Sequence, residues 1–168
     1  MRRDARRRLL MSVTAVGASL FATACGFQLR EPTKLPFRKL YAGFAPNSQI
    51  GAEFKSYIRS APNVELVDRP EAAEVRLEVL REQREKEIVI FSSSGTAREY
   101  QLRLRFAFRL VDAKGQEVIP RTELLERREI TTTDTQLVSK EQEDLLVYRE
   151  MQQDMVQQLL RRLATVRR

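Results

Sequence analysis

The chain has 168 residues, a formal net charge of +7 with 32% charged residues, one cysteine and no histidine. Without histidine it can build neither a Ser-His-Asp catalytic site nor a histidine-bound metal centre, and one cysteine excludes an internal disulfide. The basic excess would suggest a nucleic-acid partner if it were spread over a folded domain, so its distribution decides its meaning.

Much of it sits at the N-terminus, where Arg2, Arg3, Arg6, Arg7 and Arg8 face only Asp4 before an uncharged, mostly apolar run from Leu9 to Ala24. A helix that spans a bilayer needs roughly 20 apolar residues, so this run is short for that task. A basic start, an apolar middle and the small residues Ala22-Thr23-Ala24 describe a secretory signal peptide over residues 1–24. Arg6-Arg7-Arg8-Leu9-Leu10 also faintly resembles a twin-arginine signal. Removing residues 1–24 takes away five Arg and one Asp, a net +4, and leaves +3. With no phosphate-cradling glycine loop, no zinc spacing and 7% aromatic residues, no nucleic-acid partner, cofactor or metal is expected.

Cys25 is then the first residue after the cut. Its setting resembles a bacterial lipobox, in which the thiol is alkylated by diacylglycerol and the new amino group is acylated. The alternative is ordinary cleavage that leaves a free thiol. Lipidation explains why the cysteine is alone, and more than one acyl chain gives stable anchoring where one does not. Gly26 follows with no aspartate of the inner-membrane retention type, which implies an outer-membrane address. Residues 25–36, with Pro32 and Pro36, read as a tether, and residues 37–168 as a single domain.

Within that domain Leu40, Ala42 and Phe44 alternate as a short strand. Asn47 or Ser48 can cap a helix whose stripe is Ile50, Phe54, Tyr57 and Ile58, stopped by Pro62-Asn63. Val64 to Val67 reads as a strand, as does the alternation Val75, Leu77, Val79. Ile88 to Phe91, Ser92-Ser93-Ser94-Gly95 and Tyr100 to Leu110 read as a hairpin, with Ile88 to Phe91 expected in the core. Tyr100, Leu102, Leu104, Phe106, Phe108 and Leu110 take every second place, and Arg103, Arg105 and Arg109 point the other way. Asp112-Ala113-Lys114-Gly115 is a turn, and Val118 to Ile130 a strand in which Pro120 suggests an edge or bulge. The spacing Ser139-x-x-Gln142 predicts a capped final helix with the stripe Leu145, Tyr148, Met151, Met155, Leu159 and Leu163. Two helices with one apolar stripe each predict an α+β fold. It is a two-layer sandwich with both helices on one face of a mostly antiparallel sheet of about four strands.

The sheet's other face then carries arginines, either as cross-strand ion pairs or as an anion-binding surface. Glu85, Glu87, Glu99 and Glu126 could form a carboxylate pair of the glycosidase type, but they read as members of charged strand faces, and the chain is not expected to be an enzyme.

Cys25-Gly26-Phe27-Gln28-Leu29-Arg30 resembles the start of the mature lipoproteins of the LPS-assembly family LptE. Leu35-Pro36, Gly95 in the hairpin turn, Glu99-Tyr100, Glu143-Asp144 and Gln158-Leu159-Leu160-Arg161-Arg162-Leu163 are similar too. The resemblance implies a two-helix protein that is lodged in the lumen of the outer-membrane β-barrel LptD, plugs and helps assemble that barrel, and itself binds lipopolysaccharide. It implies basic residues near the hairpin and the start of the last helix, and here the tip departs from the family by presenting Ser92-Ser93-Ser94. Lys86, Arg98 and Lys140 are the candidate lipopolysaccharide-binding residues, with Arg103 and Arg105 behind them. A rival of similar layout is a periplasmic lipoprotein acting as an auxiliary or binding component of an ABC transporter.

Overall fold

The computed structural model describes residues 34–93, 95–131 and 137–166, the last segment with side chains from Gln142 onward. The elements are β1 (Lys39–Gly43), α1 (Gln49–Ser60), β2 (Glu65–Val67), a 3-10 turn (Pro70–Ala72), β3 (Val75–Phe91), β4 (Ala97–Asp112), β5 (Glu117–Thr131) and α2 (Leu137–Ala164). The signal peptide, Cys25 and most of the tether fall outside the described residues. Leu35, inside the stretch read as a tether, is buried in the core, and its carbonyl accepts a hydrogen bond from Asn63.

The five-stranded sheet has the order β2-β1-β3-β4-β5. β1 runs parallel to both β2 and β3, while β3, β4 and β5 form an antiparallel meander. The fold is therefore α+β as expected, with five strands rather than about four. The strand read at Val64 to Val67 is present as β2, three residues long and paired with β1. The stretches Val75–Val79 and Ile88–Phe91 are the two ends of one strand, β3.

The even-numbered residues of β4 from Leu102 to Leu110 are fully buried, sharing one core with Leu40, Leu77, Ile50, Phe54 and Ile58, and with Met151, Met155, Leu159 and Leu163 of α2. Phe44 lies 5.4 Å from Phe54 and 5.9 Å from Phe106, so an aromatic column joins α1 to the sheet. Ser48 caps α1, its hydroxyl accepting from the Gly51 N–H at 2.7 Å and donating to Glu82 Oε2 at 2.6 Å. This satisfies one of the orphan amides of the first turn and pins that turn to β3. The β4–β5 turn is held by Asp112 Oδ1, which accepts from the Lys114 and Gln116 amides, both at 2.8 Å, with Gly115 at φ 83°. That backbone conformation favours glycine.

β5 lies at the sheet's edge, and the register shift opposite Phe108 and Leu110 places Pro120 in a bulge, where its missing N–H is harmless. A second bulge falls between Val79 and Arg81 of β3. Before it Val75, Leu77 and Val79 face the helices. After it the phase changes, and Glu82, Arg84, Lys86 and Ile88 share the side of Phe106, Leu104, Leu102 and Tyr100.

Two expectations fail at one end of the molecule. Ile88, Val89, Ile90 and Phe91 are not core: they are 46%, 51%, 43% and 60% exposed. Leu145, expected in the stripe of α2, is also exposed. The reason is reach. β1 pairs with β3 only as far as Glu78, and the buried stripe of α2 begins at Met151, so the hairpin end of β3 and β4 runs past the cover both provide. α2 itself is already helical at Leu137, so Ser139 lies inside the helix instead of capping it. Arg161 and Arg162 in the last turn complement the helix dipole.

Candidate functional site

Of the five basic residues expected to bind ligand, Lys86, Arg98, Arg103 and Arg105 lie on the strands of the hairpin and Lys140 on α2. Lys86 lies on the helix side because of the β3 bulge. Its Nζ contacts Asp144 Oδ2 of α2 and stands 4.3 Å above the Tyr100 ring. Arg84, one strand position pair away, donates to Gln49 Oε1 at 2.5 Å and has its guanidinium 5.3 Å from the Tyr148 ring. The Tyr148 hydroxyl donates to the Glu85 carbonyl at 2.8 Å. Burial, and then the nearby Asp144 charge, push the Tyr148 phenol above its ordinary range. Lys140 belongs to the first turn of α2, four positions before Asp144. Arg98 is exposed and sits at a bulge of β4 beside the exposed apolar end, where the register slips between Glu99 and Ala97.

Arg103 and Arg105 lie on the open face, and there the ion-pair alternative is the one observed. Arg103 Nη1 donates to Glu87 Oε1 at 2.9 Å, and its Nε donates to Gln101. Arg105 pairs with Glu85 and Glu123, each at 3.3 Å, and Arg109 with Glu78 at 2.7 Å and Glu117 at 3.3 Å. The hydrogen bonds that Arg105 donates to Glu85 and Arg109 to Glu78 raise both guanidinium pKa values, so these cations stay charged at any working pH. Each exposed pair contributes little to stability, because solvent screens it. Together they give the open face alternating, locally neutralised charge. Arg127 of β5 stands directly opposite Arg103 in the register.

Three of the four glutamates weighed as a carboxylate pair are engaged elsewhere. Glu85 and Glu87 neutralise the open-face arginines, and Glu126, on the helix side, accepts from Arg128 and Gln158. Among the described residues no group of three metal-ligating side chains is present. A polar cleft of about 370 Å³ lies between the α1 cap and β3, lined by Ala45, Asn47, Ser48, Gln49, Glu82 and Arg84. Its hydrogen-bonding side chains Ser48, Gln49, Glu82 and Arg84 bond to one another or to their neighbours, and the Ser48 hydroxyl, which donates to Glu82, is committed to the cap of α1.

Sequence reasoning missed Asp144 and Tyr100 as neighbours of Lys86, and it missed the exposed apolar end. The spacing of four between Lys140 and Asp144 was visible in the sequence. That Lys86, rather than Glu85 or Glu87, faces them was not, because it depends on one unpaired residue in β3.

The model of the family LptE, Lipopolysaccharide-assembly, matches residues 37–163, from just before β1 to the end of the α2 stripe. The chain belongs to the LptE family. Among solved structures it is similar to a solution NMR structure of an uncharacterized lipoprotein B from Nitrosomonas europaea. That protein is 33% identical with a TM-score of 0.71, over 83% of this chain and 90% of that one. The LptE-type fold is also seen in the rare lipoprotein B of Shewanella oneidensis, 19% identical with a TM-score of 0.67, over 76% of this chain and 95% of that one. A minor lipoprotein of Acinetobacter baumannii is similar at 20% identity and a TM-score of 0.63, over 78% and 93% of the two chains. No curated protein matches by sequence.

Proposed function

We propose that this LptE-family chain is a lipoprotein anchored in the outer membrane through Cys25, that it lodges in the lumen of the LptD β-barrel as a plug and assembly factor, and that it assists lipopolysaccharide delivery by binding lipopolysaccharide. Signal residues 1–24 direct export, and the part of residues 25–36 that precedes the core residue Leu35 tethers the domain. The family match over residues 37–163 carries this reading.

Two features of the surface support it. The open face of β3, β4 and β5 is covered by alternating Arg and Glu, a polar surface of the kind that suits the polar interior of a large barrel. The hairpin end joins exposed Ile88 to Phe91 with Arg98 and Lys86, which combines apolar and cationic groups as an acylated, phosphorylated ligand requires. Lys86, Arg98 and Lys140 are the primary contacts in this reading. Arg103 and Arg105 contribute only by exchanging Glu87, Glu85 and Glu123 for ligand phosphate.

The test is affinity purification of the tagged protein from mildly solubilised outer membranes. A large β-barrel recovered in stoichiometric amount is the expected result. Recovery of the protein alone, or with an inner-membrane transporter, overturns the plug reading.

A further inference from the structure

We propose that Asp144 is a built-in counter-ion that occupies the anion position made by Lys86 and Tyr100, and that a ligand phosphate displaces it and releases the N-terminal end of α2 from the sheet. The proposal rests on the reading that the basic residues near the hairpin bind a phosphorylated lipid.

The exchange position is defined on one side by Lys86. Its ammonium contacts the Asp144 carboxylate and the face of Tyr100 together, yet the Lys86 side chain remains 38% exposed and so reachable from solvent. The Asp144 side chain is 19% exposed, so the pair is only partly open to water, and a phosphate monoester, with a charge of about −1.5 to −2 near neutral pH against −1 for the carboxylate, competes for Lys86 through its larger charge. The Tyr100 ring does not leave with the carboxylate. Its cation–π contact keeps Lys86 aimed at the incoming group. Beyond this position the strand continues into exposed Ile88 to Phe91, which places apolar surface next to the phosphate site, in the order an acylated headgroup presents.

On the other side the contact is the attachment of a helix end. α2 buries Met151, Met155, Val156, Leu159, Leu160 and Leu163, but Leu145 and Leu146 are exposed by 61% and 57%. Among the described residues from Gln142 to Leu146, the hydrogen-bonded ion pair to the sheet is that of Asp144 with Lys86. The next links are the Tyr148 hydroxyl on Glu85 and the partly packed Val147. Tyr148 is therefore the point at which a released helix end stops being free. Occupation of Lys86 by ligand is transmitted to α2 through the loss of one contact.

Hydrogen–deuterium exchange followed by mass spectrometry tests this on the full-length mature protein in detergent. Wild type, Asp144→Asn and Lys86→Ala are compared with no addition, with purified lipopolysaccharide, and with inorganic phosphate at equal phosphate concentration. Without ligand both variants exchange residues 142–147 about two- to five-fold faster than wild type, the factor expected for loss of one exposed ion pair, while residues 151–163 are unchanged. Lipopolysaccharide brings wild type to the same rate and adds nothing to Asp144→Asn, which binds at least as tightly as wild type, whereas Lys86→Ala binds more weakly. Unchanged exchange in Asp144→Asn overturns the counter-ion role. If Asp144→Asn loosens the helix but lipopolysaccharide neither binds nor alters exchange, displacement by ligand is overturned together with the binding reading, and the latch itself stands. An equal response to inorganic phosphate overturns the lipid as the source of the anion.

Discussion

Gly51 sits in the first turn of α1, and the substitution Gly51→Ala sets two opposed effects against each other. On helix propensity alone alanine is better than glycine by about 1 kcal/mol, so the sequence predicts a more stable protein. In the structure an added Cβ at Gly51 would stand 2.6 Å from Phe44 Cβ and 2.7 Å from Phe44 Cγ. These atoms form the base of the Phe44 side chain, which cannot swing away by changing a distal torsion. The ring is also held between Phe54 at 5.4 Å and Phe106 at 5.9 Å. Overpacking a filled core costs about 1–3 kcal/mol in ordinary cases, and this contact, with no flexible end to yield, belongs in the upper half of that range. The expected net effect is a loss of about 1–2 kcal/mol, or roughly 3–8 °C in Tm. Urea denaturation and thermal unfolding by circular dichroism measure it. A Gly51→Ala protein as stable as wild type, or more so, would show that the β1–α1 connection yields, and that the close approach of α1 to Phe44 is not a constraint of the fold.

Ser48→Ala removes the N-cap of α1 and its hydrogen bond to Glu82, so a loss of about 1–2 kcal/mol is expected in the urea midpoint. Phe106→Ala empties a fully buried site between Phe44 and Phe108 and should cost about 3–5 kcal/mol; a loss below 1 kcal/mol would mean the core collapses around the gap. Tyr148→Phe loses the bond to Glu85 and about 1 kcal/mol near neutral pH. Because the folded phenol pKa is raised, wild type holds that advantage below pH 10 and loses it as pH rises from the unfolded phenol value, about 10, through the folded one, so the Tm gap to Tyr148→Phe should shrink in this window and not at pH 6–9. Mass spectrometry of the mature N-terminus should find diacylated and N-acylated Cys25, and an unmodified cysteine there refutes the lipid anchor.

The sequence by itself determined the layers. Six apolar residues at every second place from Tyr100 to Leu110 allow only a half-buried strand, and stripes at three and four residues allow only helices lying on it. These periodicities are local, so they are legible without knowing what packs where. The charge at residues 2–8 and the single Cys25 are likewise legible without the fold, and they carry the proposal of an export signal and a lipid anchor. The family's order of short motifs pointed to the hairpin and the last helix as the place for ligand.

The tertiary structure alone decided which charges meet. From Arg81 to Glu87 both sides of β3 are polar, so no alternation reveals which side faces the helices. One unpaired residue, Leu80, sets that phase: it turns Lys86 toward Asp144 and Tyr100 and gives Glu85 and Glu87 to Arg105 and Arg103. Burial of Ile88 to Phe91 was equally undecidable from the sequence. A β-prone apolar run is core only where another layer covers it, and cover depends on where β1 ends and where α2 begins to pack. Register and reach are relations between segments distant in the chain, and for that reason they appear only when the sheet is assembled.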